Sequence, residues 1–303
     1  LERIGVWQQD RRPVWSLLMK RSVVVTGAST GIGLATAKML AARGYHVFGS
    51  VRRMDDADRL SAEIGEEVTP LIFDVTDQEA VLEAARDVAQ RLGASRLAGL
   101  VNNAGIATPG PLLKLPLKDL RWQLEVNVVA QVGVTQAFAP LLGSDPARSG
   151  PPGRIVNMSS VAGRLVSPFV GAYAASKHAL EALSDALRRE LAIYGIDVVV
   201  IEPGTVATPI WDKAEALDVA PYLESDYREA ITKMLAYMLK RGRSGYPPEK
   251  VAEAVLHGLT AQKPPIRIPV VQGAFENWIA PRLMSDRMLD NVIAKRLGLK
   301  KPG

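Results

Sequence analysis

Two side chains able to move a proton, Tyr173 and Lys177, stand four residues apart in the stretch GAYAASKHALEALSDALRREL. Ala172, Ala175, Ala179, Leu180, Leu183 and Leu187 recur there at three- and four-residue intervals, which predicts a helix with one apolar face from Ala172 to Tyr194. At that spacing a Tyr and a Lys meet on the same side of a helix. A free phenol titrates near ~10, too high to exchange protons efficiently at neutral pH. A neighbouring ammonium favours the phenolate and is expected to lower that value, making Tyr173 a usable acid and base. Pairs of this kind also arise as ordinary surface contacts, so the meaning of this one depends on its company.

The elements that would hold it begin at Ser22. Short β-rich runs at 22–26, 46–51, 68–73, 97–102, 154–159, 197–202 and 266–270 alternate with helical patterns, among them Gly33 to Arg43, Gln78 to Leu92 and Leu120 to Leu141. Several runs are Val/Ile-rich with little polar alternation, as in a parallel sheet covered on both faces. The expected fold class is therefore α/β: a doubly wound, Rossmann-type parallel sheet of about seven strands with helices on both faces. In such sheets ligands bind outside the carboxyl ends of the strands. The first strand runs into TGASTGIG, where glycines allow a tight turn and close approach to a pyrophosphate at a helix N-terminus. The spacing is G-x-x-x-G-x-G rather than the common dinucleotide fingerprint. Asp74 follows the third strand, NNAG (102–105) the fourth, Ser159 and Ser160 the fifth, and PGTVATP (203–209) the sixth. Each alone reads as a turn or cap, but their recurrence at successive strand ends points to one cleft.

Composition narrows the field. The 303 residues contain no cysteine, which excludes disulfides, thiol nucleophiles and thiolate metal sites and fits a reducing, cytoplasmic location. His46, His178 and His257 lack ligand-like spacing, so no metal is expected. The net charge of +5 comes from interspersed acids and bases, and nucleic-acid binding is not expected. No run is read as long and apolar enough to span a bilayer, and no signal-peptide pattern is present. Residues 1–18 read as an N-terminal extension and 19–303 as a single domain, with a helical lid at about 205–245 and amphipathic helices from 273 onward. In the tail, Trp278, Ile279, Leu283, Met284, Met288, Leu289, Val292 and Ile293 form an apolar stripe with basic flanks. Packing on the domain itself is the first expectation for that stripe, a subunit contact the second and membrane-surface attachment the third.

Seven motifs in order, from Thr26 to Pro209, carry a resemblance: TGASTGIG, Asp74-Val75, NNAG, Asn127 in EVNVVA, IVNMSS, YAASK and PGTVATP. The chain resembles the short-chain dehydrogenase/reductase family in its single-domain branch, and the glycine spacing is that family's own. The resemblance implies Tyr173 as the catalytic acid/base, with Lys177 lowering its pKa and binding the nicotinamide ribose. It implies Ser160 as the group that binds the substrate oxygen and Asn127 as the holder of a water that links Lys177 to solvent. Gly27, Thr30, Gly31, Ile32 and Gly33 would cradle the cofactor. Asp74 and Val75 would flank the adenine, and Asn102, Ala104 and Gly105 would line its floor. Pro203 and Gly204 would start the nicotinamide loop, with Val206 and Thr208 at the carboxamide. The implied reaction is hydride transfer between a nicotinamide and a carbonyl or secondary alcohol. The family's longer branch, which dehydrates or epimerises sugar nucleotides, fits less well. A second class of reading is a catalytically silent dinucleotide-binding regulator or scaffold, although Ser, Tyr and Lys are all retained. A homodimer or homotetramer is implied by resemblance alone.

Cofactor choice turns on VFGSVRR. An NAD-preferring enzyme of this fold usually ends its second strand with an acid that binds the adenosine ribose. Here Val51 occupies that position and Arg52 and Arg53 follow, a forked cationic pair suited to a 2′-phosphate. NADP(H) is expected, with NAD(H) the alternative, and Asp55, Asp56 and Asp58 are possible partners that mask the arginines. The substrate is left open between two readings. Ile210, Trp211, Tyr222, Met234, Leu235 and Met238 either roof a hydrophobic substrate or merely pack lid helices. The layout loosely resembles the 17β-hydroxysteroid and retinol dehydrogenase-like group.

Overall fold

A computed structural model describes residues 21–216 and 220–299. Seven strands form one sheet: β1 (Ser22–Val25), β2 (His46–Val51), β3 (Val68–Ile72), β4 (Gly99–Asn102), β5 (Arg154–Met158), β6 (Asp197–Pro203) and β7 (Arg267–Val270). Their order is β3-β2-β1-β4-β5-β6-β7, and every pairing is parallel. The chain winds outward from β1 in one direction and from β4 in the other. The topological switch point therefore lies between these two strands, where a doubly wound sheet opens a crevice.

The helices are α1 (Gly31–Ala42), α2 (Met54–Ile64), α3 (Gln78–Leu92), α4 (Leu117–Leu124), α5 (Ala130–Ala139), α6 (Gly171–Glu190), α7 (Ile210–Glu215), α8 (Ala220–Leu223), α9 (Arg228–Arg243), α10 (Pro248–Thr260), α11 (Ala280–Leu283) and α12 (Asp286–Leu297). One core lies on the sheet face covered by α1 and α10 and includes Val23, Val25, Leu40, Val156, Val255 and Leu259. The other gathers Val24, Phe48, Leu100, Val134, Phe138 and Ile155 beneath α3 and α5. Alternate residues of β1 thus enter opposite cores, the arrangement that makes a buried parallel strand apolar throughout. The expected strands agree with the observed ones to within a few residues. Helix α2 is an element the sequence reading lacked.

A π-helical turn, Glu125–Val129, links α4 to α5 and carries Asn127. Together with a second such turn, Pro140–Ser144, which leaves helical geometry at Gly143, these pieces make a helical stretch from Leu117 to Ser144. That stretch is long and apolar enough to cross a membrane by length and composition, contrary to the expectation of none, yet 61% of its apolar window is buried inside the fold. It is a core helix by its packing. In the tail Trp278 and Leu297 are buried, the latter against Ala230 and Met234 of α9. The rest of the expected stripe divides: Ile279, Leu283, Met288 and Val292 face outward. The extension read at residues 1–18 lies outside the described residues.

Candidate active site

The glycine turn is tightly packed. Gly27 sits at φ +65° and Gly31 at φ +57°, in the region that favours glycine. A Cβ at Gly33 would fall 2.1 Å from the Gly27 carbonyl oxygen, so a side chain there would prevent the first turn of α1 from closing on β1. The turn is clamped from both neighbouring strands. Gly27 N–H donates to Ser50 Oγ on β2 at 3.0 Å. Asn103 Nδ2, just past β4, donates to the carbonyls of Thr26 at 2.9 Å and Gly27 at 3.2 Å. Exposed Thr30 is the N-cap of α1, followed by half-buried Ile32. A narrow turn at the N-terminus of a helix of this length cradles an anionic group. The place of a Gly27 Cβ is 3.0 Å from Ala104 Cα, and that of a Gly31 Cβ is 3.3 Å from Thr208. These contacts join the NNAG and PGTVATP segments to the same crevice.

Tyr173 and Lys177 do share one face of α6, with Lys177 Nζ 5.7 Å from the centre of the Tyr173 ring. Lys177 is buried, and Nζ donates to the Met158 carbonyl at the end of β5 at 2.7 Å. Burial pulls its pKa down to about 8, with Glu181 one turn further on partly offsetting the fall. The expected lowering of the Tyr173 pKa is not what the structure shows: burial raises it, and the hydrogen bond with Ser160 only partly counters that. Desolvation penalises the phenolate more than the Ser160 hydrogen bond favours it. The consequence is a phenol held in its neutral, proton-donating form. Ser160 caps the short turn Val161–Gly163, accepting from Ala162 N–H at 3.1 Å and donating to the Pro203 carbonyl at 3.4 Å. Asn127 is fully buried. Its Nδ2 donates to the Ile106 carbonyl (3.0 Å) and Ser176 Oγ (3.1 Å), and its Oδ1 accepts from Ile106 N–H (2.9 Å). Gly105 separates it from Lys177, since a Cβ at Gly105 would lie 3.2 Å from Asn127 Oδ1 and 3.8 Å from Lys177 Nζ.

The structure sorts the remaining candidates. Arg52, 68% exposed, leaves the end of β2 and approaches Asp74 at 3.9 Å. Arg53 is the N-cap of α2 and meets Asp56 at 3.4 Å; neither Asp55 nor Asp58 pairs with the two arginines. Arg59, which the sequence reading passed over, bridges Asp56 at 2.7 Å to the Ser29 carbonyl in the glycine turn at 3.3 Å. Burial raises the Asp56 carboxyl, but Arg53 and Arg59 outweigh it and hold the group below the usual carboxylate range. Asp74 accepts from Thr76 N–H and Oγ1, while Val75 is buried in the core. The Asn102 side chain is directed into the fold, donating to Thr135 Oγ1 at 3.0 Å and Asn157 Oδ1 at 2.9 Å. Pro203 ends β6, Gly204 N–H donates to the Val270 carbonyl at 2.9 Å, and Val206 is buried.

Residues 21–218 match the family described as short chain dehydrogenase. The chain belongs to the short-chain dehydrogenase family. It is similar to an NADPH-dependent 3-dehydrocapnine reductase of Ornithobacterium rhinotracheale, 41% identical over 277 residues that cover 91% of this chain and 97% of that protein. Retinol dehydrogenase 16 of Mus musculus is 36% identical over 279 residues, covering 87% of this chain and 86% of that one. Among solved structures, a short-chain dehydrogenase from Streptomyces avermitilis superposes with a TM-score of 0.71 at 29% identity, covering 91% of this chain and 94% of that chain.

As a short-chain dehydrogenase the protein is an oxidoreductase acting between CH–OH and C=O, and its cofactor is a nicotinamide dinucleotide. The crevice fits such a group, because glycine at positions 27, 31 and 33 lets the turn close tightly and brings the N-terminus of α1 to the switch point between β1 and β4, where an anionic pyrophosphate is favoured. Beyond it, α7 and α9 roof a cavity of about 410 Å³ walled by residues that include Pro109, Phe169, Trp211, Met234, Leu235 and Met238. Trp211 packs hard on Gly242, and its Nε1 donates to the Val206 carbonyl at 2.6 Å, so the roof is pinned to the 203–209 loop.

A second feature was invisible in the motifs. Arg164, after the Ser160 turn, contacts Glu181 on α6 at 3.1 Å and Glu202 at the end of β6 at 3.3 Å. Arg267 on β7 contacts the same Glu181 at 2.9 Å, Asp185 at 3.1 Å and Glu202 at 3.8 Å. The cluster ties together the three elements that carry Ser160, the Tyr173–Lys177 pair and the Pro203–Gly204 loop. Burial and then the proximity of Glu181 raise the Glu202 pKa, and the two guanidinium groups only partly offset the rise.

Proposed function

We propose that this short-chain dehydrogenase is an NADP(H)-dependent carbonyl reductase and alcohol dehydrogenase of hydrophobic substrates, with Tyr173 as its acid and base. The observation that carries the reading is the placing of the Tyr173 phenol beside Ser160, with Lys177 Nζ 5.7 Å from its ring, at the ends of β5 and β6. In reduction Tyr173 gives its proton to the substrate oxygen, and Ser160 donates a hydrogen bond that stabilises the charge developing there. The nicotinamide, when bound, supplies the hydride. Lys177 keeps positive charge beside the phenol, which favours the phenolate left after transfer. In oxidation the same groups run in reverse. The relatives named as an NADPH-dependent reductase and a retinol dehydrogenase support both the direction and an apolar substrate. Helices α7 to α9 serve as the lid of a single domain. The exposed Trp122 and Val129, flanking Asn127, favour a homo-oligomer, and the absence of cysteine favours the cytoplasm. The test is purified protein with NADPH and a panel of long-chain and cyclic ketones, followed by the nicotinamide absorbance; no turnover of any member would overturn the reading.

Arg52 and Arg53, with Arg59 behind them, support the preference for the phosphorylated cofactor. Arg52 is the main expected contact to the 2′-phosphate, because its guanidinium is the more weakly tied of the pair. Arg52→Ala is expected to weaken NADPH binding by roughly 1.5–3 kcal/mol, the scale of a charged hydrogen bond, and leave NADH nearly unaffected. Equal efficiency with NADH in the wild type would sink the assignment.

The pH profile separates the two titrating groups. With the Tyr173 pKa raised above its ordinary value, the phenol stays protonated through neutral and mildly alkaline pH. Lys177, at about 8, loses its charge first as pH rises. The kcat/KM for ketone reduction is therefore expected to fall as pH rises through about 8. A plateau continuing past pH 10, near the ordinary phenol value, would show that the lysine charge is not required.

A further inference from the structure

We propose that the substrate carries a protonated amine on its apolar body, with Asp119 as the counter-ion in the cavity wall; the proposal rests on the reductase reading and specifies the chemistry of its substrate. The cavity of about 410 Å³ is walled by apolar and aromatic side chains, and Asp119 is the sole charged residue among those lining it. Its half-buried carboxylate makes no ion pair or hydrogen bond among the described residues, although Lys118 and Arg121 lie on the same helix. The group that senses it is Tyr222, also in the wall. Burial raises that phenol's pKa, and the Asp119 charge raises it further. The Tyr222 hydroxyl in turn packs against Gly110, 2.8 Å from where a Cβ would stand, so the polar corner has a defined shape.

The wall is preformed rather than collapsed. Phe169 is held at φ +67°, the single non-glycine residue in that region among the described residues, and its carbonyl accepts from Gly110 N–H at 2.7 Å. Its ring stands edge-on to Tyr227 at 5.7 Å. A bulky aromatic residue keeps such a conformation only where its surroundings demand it, and Phe169 lines the cavity. Val170 of the same wall lies three residues before Tyr173, and Ala107 lies two after Gly105. The cavity therefore begins beside the reacting face.

Filling this space with a wholly apolar molecule would strip water from an unpaired carboxylate without replacing its hydrogen bonds, which is unfavourable. A ligand that brings its own ammonium to that corner removes the penalty. The aliphatic body then runs along Met234, Leu235, Met238 and Leu239 of the lid.

Calorimetry on the full chain with octylamine and octanol, equal in length and differing in charge, tests this directly. The wild type is expected to bind octylamine roughly ten- to hundredfold tighter than octanol, the worth of one charged hydrogen bond. Asp119→Asn should bring the two affinities together, and Asp119→Glu should restore most of the gap. A purely structural effect of the substitution would weaken both ligands alike. Octanol binding as tightly as octylamine, no saturable octylamine binding, or a preference that survives in Asp119→Asn would each overturn the proposal. Turnover decides a different matter: amine-selective binding without reduction of any ketone would refute the reductase reading and leave this one standing.

Discussion

Tyr173→Phe is expected to cut ketone reduction by at least ~10²-fold, the usual worth of a positioned general acid, while folding and cofactor binding remain nearly intact. The ring stays, so its packing over α6 and the contact with Lys177 are retained; only the donated proton is lost. The raised pKa sharpens the expectation. A phenol that resists ionisation is a reservoir of the proton the reduced substrate must acquire, and neither neighbour can replace it. Ser160 is an alcohol, able to donate a hydrogen bond but too weak an acid to give up its proton, and Lys177 points at the Met158 carbonyl. Single-turnover measurement with preloaded NADPH isolates the chemical step. A Phe variant that reduced its best ketone at the wild-type rate would show that water supplies the proton.

Much of this arrangement was legible in the chain because it depends on local rules. Val-rich runs bounded by turn residues marked the seven strands, and the four-residue spacing put Tyr173 and Lys177 on one face. The elements that escaped did so for physical reasons. Helix α2, in MDDADRLSAEI, is not singled out by the sequence reading; its acids count there only as partners of Arg52 and Arg53, so Arg59, whose contact with the Ser29 carbonyl spans 30 residues, goes unnoticed. The stretch from Leu120 to Leu141 read as one regular helix, whereas the π-helical turn at Glu125–Val129 carries Asn127 and turns its amide onto the Ile106 backbone. Local widening of that kind leaves no compositional mark. The Tyr173 pKa was inferred from its charged neighbour alone; depth of burial, which decides the direction, belongs to the tertiary fold. The arginine–glutamate cluster is further still from any motif, since its contacts join residues 17, 38 and 86 positions apart.

That cluster carries the largest stability effect we expect. Glu181 and Glu202 are almost completely buried, with side chains 5% and 2% exposed, and Arg267 touches both. Two carboxylates this close and this dry are tolerable only with their guanidinium partners; removing one partner leaves uncompensated buried charge. Arg267→Leu is accordingly expected to destabilise the protein by about 3–5 kcal/mol, measured by urea unfolding, whereas Arg267→Lys should recover part of the loss, since it keeps the charge without the fork. The pH dependence identifies the cause. Arg267 favours the charged form of Glu202, so its removal raises further a pKa that burial and Glu181 have already raised. A raised carboxylate contributes stability at low pH that is lost as pH rises through the folded-state value, because the folded state then binds more protons than the unfolded one. The difference between variant and wild type should therefore shrink as pH falls into the carboxylate range, where the proton takes over from the missing arginine. A deficit independent of pH would point to lost packing of the arginine stem instead, and one below about 1 kcal/mol would mean that the cluster behaves as a solvated surface pair.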